Sequence, residues 1–196
     1  MGLISNGTTI FDNGSMSSGF GADLKFISKA TASSSASIEF SLGSYKEYKF
    51  YWVNPHPSVD GAFFQFNFST DNGSTYSVAK TTTFFRAYHY ESDAASVFDY
   101  RTSEDLAQGT GFQTIQDYLG ADNDQSCSGF MSVFNPSSTT YVKHYKLNNN
   151  GCFNNDISIN IFSAGYANTT SALTNIKFQM SSGNIDAGEI LLFGVS

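Results

Sequence analysis

Phe64-Gln65-Phe66-Asn67-Phe68 puts a large ring at every second position, runs into Asp71-Asn72-Gly73-Ser74, and resumes with Tyr76 and Val78. Alternation with period 2 means that one side of the segment enters a core while the other meets water, which is the mark of a β-strand. Asn and Gly tolerate the positive φ of a tight turn, so the segment reads as a hairpin with its two strands on either side of residues 71–74.

The same period recurs outward from that stretch. From about Asp23 onward, Ile38, Phe40 and Leu42 alternate with Ser37, Glu39 and Ser41, and Tyr48, Phe50 and Trp52 follow. Strands fit Ser126 to Phe134 and Thr139 to Leu147, with Asn135-Pro136-Ser137-Ser138 turning between them because proline presets the bend and lacks a ladder donor. Ile157, Ile159 and Ile161, then Ile176, Phe178 and Met180, then Ile190 and Leu192 bring the expected total to about ten strands. Ser103-Glu104-Asp105-Leu106-Ala107-Gln108 before Gly109 is the one place where a helix of a turn or two is expected, with Ser103 as its cap. Short Gly/Asn turns and no βαβ alternation predict an all-β fold, an antiparallel β-sandwich or jelly roll. No repeat of propeller or solenoid length is visible.

Composition agrees. The chain has 196 residues, enough for one domain that buries about 70% of its unfolded surface. Nineteen Phe and 11 Tyr stand against only 14% charged residues, and large rings favour a pleated, half-buried surface over a helical bundle. The opening residues differ: Gly2, Gly7, Gly14 and Gly19 interrupt isolated apolar residues, among them Leu3, Ile4, Ile10 and Phe11. Residues 1–22 are therefore expected to form an extended N-terminal arm that docks on a neighbouring subunit, and residues 23–196 a single β-sandwich domain.

Several function classes are disfavoured. A net charge of −7, with ten basic residues scattered singly, offers no continuous phosphate-tracking surface, so nucleic acid is not an expected partner. Lys46 and Lys49, and Lys143 and Lys146, alternate with tyrosines and read as solvated strand faces. No apolar run approaches the length of a membrane helix, and the start lacks the basic and apolar regions of a secretion signal, so no membrane insertion is expected. Cys127 and Cys152 read as free thiols. The sequons at Asn6, Asn13, Asn67, Asn72 and Asn168 follow from an Asn/Ser/Thr-rich composition.

Catalytic chemistry requires a nucleophile, a base and an orienting group that converge, or a metal with an open position. His56 lies between Pro55 and Pro57 in an expected loop, His89 lies between Tyr88 and Tyr90, and His144 lies on a strand; each reads as a structural or surface histidine. Glu91 with Asp93, or Glu104 with Asp105, would suit glycoside hydrolysis if they faced a sugar across a cleft, but acids in an acidic protein are normally solvated. Asp122 and Asp124, in Gly120-Ala121-Asp122-Asn123-Asp124-Gln125, are hard oxygen ligands suited to Ca²⁺, yet turn formation alone accounts for them. The sequence therefore points to a non-enzyme with no cofactor and no assigned metal. Phe84-Phe85-Arg86-Ala87-Tyr88-His89-Tyr90 carries rings on both faces of an expected strand, so Phe85, Tyr88 and Tyr90 are candidate contact residues, together with Leu3, Ile4, Ile10 and Phe11 of the arm.

Several segments resemble those of one family: Gly2-Leu3-Ile4-Ser5-Asn6-Gly7-Thr8-Thr9, Phe84 to His89, Phe134-Asn135-Pro136-Ser137-Ser138-Thr139-Thr140, Val142-Lys143-His144, Ser163 to Ser171, and Met180 to Gly188 running to Leu192-Phe193-Gly194. Across most of its length the chain resembles small virion structural proteins of marine tailed phages, notably those infecting cyanobacteria. The resemblance implies a virion component assembled in the bacterial cytoplasm, with other virion proteins and copies of itself as partners, and carries over no catalytic residue. The leading expectation is a homotrimeric capsid decoration (cement) protein, since no heptads or shaft repeat of a tail fibre are present. The alternative is a receptor-binding module of a tail or head fibre that stacks aromatic loops, such as Tyr51-Trp52 or Tyr88 to Tyr90, on host surface glycans.

Overall fold

The computed structural model describes residues 3–6, 8–12, 15–16 and 24–195. It is all-β and antiparallel throughout, and no helix occurs among the described residues. In the opening segment β1 (Leu3–Ser5), β2 (Thr8–Asp12) and β3 (Ser15–Met16) pair with one another as a small sheet, with Leu3 opposite Phe11 and Phe11 opposite Met16.

The remaining strands form one large sheet. They are β4 (Leu24–Thr31), β5 (Ile38–Ser41), β6 (Glu47–Pro57), β7 (Ala62–Ser69), β8 (Lys80–Tyr90), β9 (Ser96–Tyr100), β10 (Gln113–Leu119), β11 (Cys127–Phe134), β12 (Lys143–Phe153), β13 (Ile157–Ala167), β14 (Asn175–Met180) and β15 (Ile185–Val195). Eight strands run side by side in the order β4-β15-β6-β11-β12-β13-β8-β9. The other four, β10-β7-β14-β5, join β12 through Leu119 opposite Phe153 and approach β15 through a bridge between Ser35 and Ile185. The sheet thus curls back on itself and is nearly closed into a barrel.

Side-chain parity decides which face is inside. Ile38 and Phe40, Tyr48, Phe50 and Trp52, Phe64, Phe66 and Phe68, Ile157, Ile159 and Ile161, Ile176, Phe178 and Met180, and Ile190 and Leu192 are all buried, as their period predicts. Phe178 on β14 lies at the centre of this core, with ring centroids 5.5 Å from Phe50, 6.0 Å from Phe64 and 6.3 Å from Phe40. Trp52 meets Phe64 edge-on at 6.0 Å, and Phe66 meets Tyr145 at 5.1 Å. The Phe178–Phe50, Trp52–Phe64 and Phe66–Tyr145 contacts tie the eight-strand run to the four-strand part, each worth about 0.5–1.5 kcal/mol beyond the area buried. Gly188 on β15 sits where register slips between Ala187 and Glu189; its φ is +103° and an added Cβ would lie 2.3 Å from the Asn54 carbonyl oxygen, so glycine is required there.

The hairpin between β11 and β12 forms as expected, with Met131 opposite Leu147 and Val133 opposite Tyr145. The hairpin expected at residues 64–78 does not. The turn itself is built: Asp71 accepts from the Ser69 hydroxyl at 2.6 Å and from the Thr75 hydroxyl at 2.7 Å. Both edges of β7, however, are already taken by β10 and β14, so the returning chain has no ladder to join. Instead, the Asn67 side-chain amide donates to the Tyr76 carbonyl at 2.7 Å, and the chain crosses over to start β8 beside β13. The short helix expected at residues 103–108 is also absent. Thr82 Oγ1 captures the Leu106 amide at 2.8 Å and Thr81 Oγ1 captures that of Gln108, pinning the segment to β8 as turns. His56 lies within β6 rather than in a loop, with Ala187 opposite.

Candidate functional site

The eight-strand run turns its inner face to the core and its outer face to solvent, and register brings its outward residues into rows across the strands. One row reads Leu191, Tyr51, Phe130, Asn148, Phe162, Phe85, Tyr100, each directly opposite the next from β15 to β9. Neighbouring strands lie about 4.8 Å apart, so this ridge spans about 29 Å. Tyr51 and Phe130 rings lie 6.2 Å apart, and Phe162 stacks on Phe85 at 5.3 Å with 13° between their planes. At the β4 end, Phe193 meets both Phe26 and Tyr51 edge-on at 5.5 and 5.6 Å. Phe26 is 53% exposed and Phe130 48%. Leu24, Ile27 and Val53 are also exposed, making the β4-β15-β6-β11 half of this face the more apolar.

The next row reads Glu189, Val53, Ser128, Asn150, Asn160, Ala87, Phe98. Beyond it lie Cys152, Ser158, His89 and Ser96. Between Val53 and Phe98 these side chains are small or polar, so the surface drops beside the ring ridge. Two amides are held from below: Asn148 Nδ2 donates to Asn160 Oδ1 at 2.8 Å, and Asn150 Nδ2 donates to the Ile159 carbonyl at 2.8 Å. His56 Nδ1 lies 2.7 Å from Asp186 Oδ1.

The contact residues expected from sequence divide between faces. Phe85 stands on the outer ridge, whereas Tyr88 and Tyr90 point inward, pack against the core and meet each other at 6.0 Å. Tyr88 also carries the Arg86 guanidinium 5.0 Å above its ring. Leu3 and Ile4 fall on β1, and Ile10 and Phe11 on β2; their side chains lie outside the described residues. Tyr51 and Trp52 belong to a strand rather than a loop, and Trp52 is buried, so the pair cannot act together on a ligand. Glu104 bonds Thr114, Asp105 bonds Tyr100, and Asp93 bonds His89. Asp122 accepts the Gln125 amide in a turn, and no group of three or more metal-ligating side chains occurs among the described residues.

Beneath the outer face lies a polar seam where β10 meets the inside of β8 and β12. Trp52 Nε1 donates to Asn149 Oδ1 at 2.6 Å, and Asn149 Nδ2 donates to Gln116 Oε1 at 2.7 Å. Arg86 bridges Asp117 and Asp99, the latter at 2.9 Å. Burial pushes the Asp117 carboxyl up to about 6 despite the attraction of Arg86. Cys127 and Cys152 are free, and burial raises both thiols.

Lys143, read from sequence as part of a solvated strand face, is buried, and so is Lys80. Lys143 Nζ donates to the carbonyls of Thr169 and Ser171, closing a loop. Lys80 Nζ donates to Asn67 Oδ1 and the Val78 carbonyl, and burial lowers it to about 7. An unfolded lysine titrates near 10.5, so between about pH 7 and 10 the unfolded chain binds the extra proton, and stability rises with pH. Urea unfolding at pH 7 and 9 is expected to show that rise, and Lys80→Met to abolish it.

A scan against protein-family models and a search of curated proteins found no match to this chain. What the fold defines is thus a class, an all-β protein with a long, ring-studded outer sheet face.

Proposed function

We propose that the chain is a virion structural protein of a tailed phage, a decoration protein that caps the outer shell through subunit contacts. In this reading the two parts of the sheet, facing each other across the aromatic core, amount to a β-sandwich of jelly-roll type. The protein binds as a homotrimer, assembled with the particle in the bacterial cytoplasm. One observation carries the proposal: Phe26 on β4, Tyr51 and Val53 on β6 and Phe130 on β11 stand exposed on the same face of the sheet. A contiguous apolar patch of this kind suits a protein partner. The phage context rests on the resemblance of the segments quoted in the sequence analysis.

The test is the double variant Phe26→Asp with Phe130→Asp. Both positions are exposed, so the fold is expected to survive, while binding to shells stripped of the protein and trimer formation are lost. Retention of wild-type shell binding by the folded variant would remove the basis of the reading. A second reading, a fibre-borne adhesin, is favoured by the other half of the same face, where Phe98 is 72% exposed beside polar side chains.

A further inference from the structure

Three concave stretches on the β15-to-β9 surface join end to end. The first, of about 500 Å³, lies between Phe98, Asn160 and Asn150. The second, about 360 Å³, shares Asn150 and Ser158 with it; the third, about 490 Å³, shares Asn54, Asp124 and Ser126 with the second and ends at His56 and Asp186. Together they make one trough lying across the strands, parallel to the ridge of rings and about as long, on the order of 29 Å at sheet spacing.

The geometry points to a binding site for an extended, uncharged polysaccharide chain. Length and openness exclude a small enclosed ligand: the trough is a channel along the surface, suited to a polymer lying across it. Away from the apolar end at Val97 and Phe98, the lining carries amide, hydroxyl and carboxylate groups, which exchange hydrogen bonds with sugar hydroxyls. Asn150 and Asn160 are each fixed by one bond to neighbouring groups, and Asn160 Nδ2 and Asn150 Oδ1 have no partner among the described residues. An amide held in this way loses little rotamer freedom on binding. The walls supply the apolar complement, since Phe98 offers a largely open ring to the C–H face of a sugar. Charge selects within the class. Glu91, Asp124 and Asp186 line the trough and His56 is already engaged with Asp186, so a sulfated or uronic chain would be repelled. A folded peptide surface fits less well, because the second and third stretches are mostly polar and the larger apolar patch lies on the other half of the face.

This inference deepens the adhesin reading and is independent of shell capping. Purified wild-type protein is titrated calorimetrically with neutral glucan, galactan and mannan oligosaccharides of four to six units, with a sulfated galactan as control. Saturable binding to at least one neutral chain is expected, weakened by about tenfold or more in Phe98→Ala and in Asn160→Ala. Unfolding curves of both variants are expected to match wild type, and Phe26→Asp with Phe130→Asp is expected to bind the sugar normally. Absence of saturable binding to every neutral chain, a preference for the sulfated one, or affinity unchanged in both trough variants would overturn it. Sugar binding lost in the Phe26/Phe130 variant but kept in the trough variants would assign the site to the apolar half instead.

Discussion

Phe178→Ala is expected to destabilise the protein by about 3–5 kcal/mol, the usual cost of removing a fully buried ring. Phe178 has no solvent exposure and its ring lies against Phe40, Phe50, Trp52, Phe64 and Phe66, so it bridges β5, β6 and β7 from β14. Those neighbours are held in ladders with strands on either side, and they can collapse only partly into the space left. At this chain length the loss corresponds to a fall in Tm of roughly 10 °C. Phe178→Leu keeps much of the volume and is expected to lose distinctly less. Thermal unfolding of the three proteins checks the series, and equal Tm values would mean that the rings do not bind the two parts of the sheet together.

Arg86→Leu carries the second large effect. The Arg86 side chain is 8% exposed and that of Asp117 not at all, so removal of the cation leaves an uncompensated carboxylate in the interior. Breaking a buried pair from one side costs about 3–5 kcal/mol, far more than an exposed pair would. The sign of the pH dependence follows from Asp117. Its folded pKa, about 6, lies above the ordinary 3.8 of an aspartate, so ionisation costs stability above pH 6 and that cost fades as pH falls toward 3.8. Urea unfolding at pH 7 and pH 5 should therefore show Arg86→Leu recovering part of its deficit at the lower pH. The double variant Arg86→Leu with Asp117→Leu should recover most of the loss at both, since neither charge remains. A deficit in Arg86→Leu that does not change between the two pH values would assign the loss to packing alone.

The inward half of this architecture was legible because burial leaves a period in the sequence. Tyr48, Phe50 and Trp52, or Ile157, Ile159 and Ile161, declare a strand and a core face without further information. What was not legible depends on register and on competition between partners. The turn at Asp71–Ser74 is real, yet no local signal shows that β10 and β14 have already filled the edges of β7. The strand β10 escaped notice because Gln113, Gln116 and Asp117 are polar although buried, their partners being the side chains of Thr82, Asn149 and Arg86. The outer ridge was hidden for a related reason. Tyr51, Phe130, Phe162 and Phe85 each occupy the outward position of a different strand, and only pairing across a hundred residues of chain aligns them. The one local sign was a ring where the alternation called for a polar residue, and at Phe85 that sign was read.

The outer face is the point on which the proposed shell-capping role depends. Cryo-electron microscopy of an intact particle containing this chain tests it most directly. The expected result is trimers seated on the outside of the shell, with Phe26 and Phe130 pressed against protein and Phe98 open to solvent. Copies confined to the tail, or an outer sheet face left bare in the assembled particle, would contradict it.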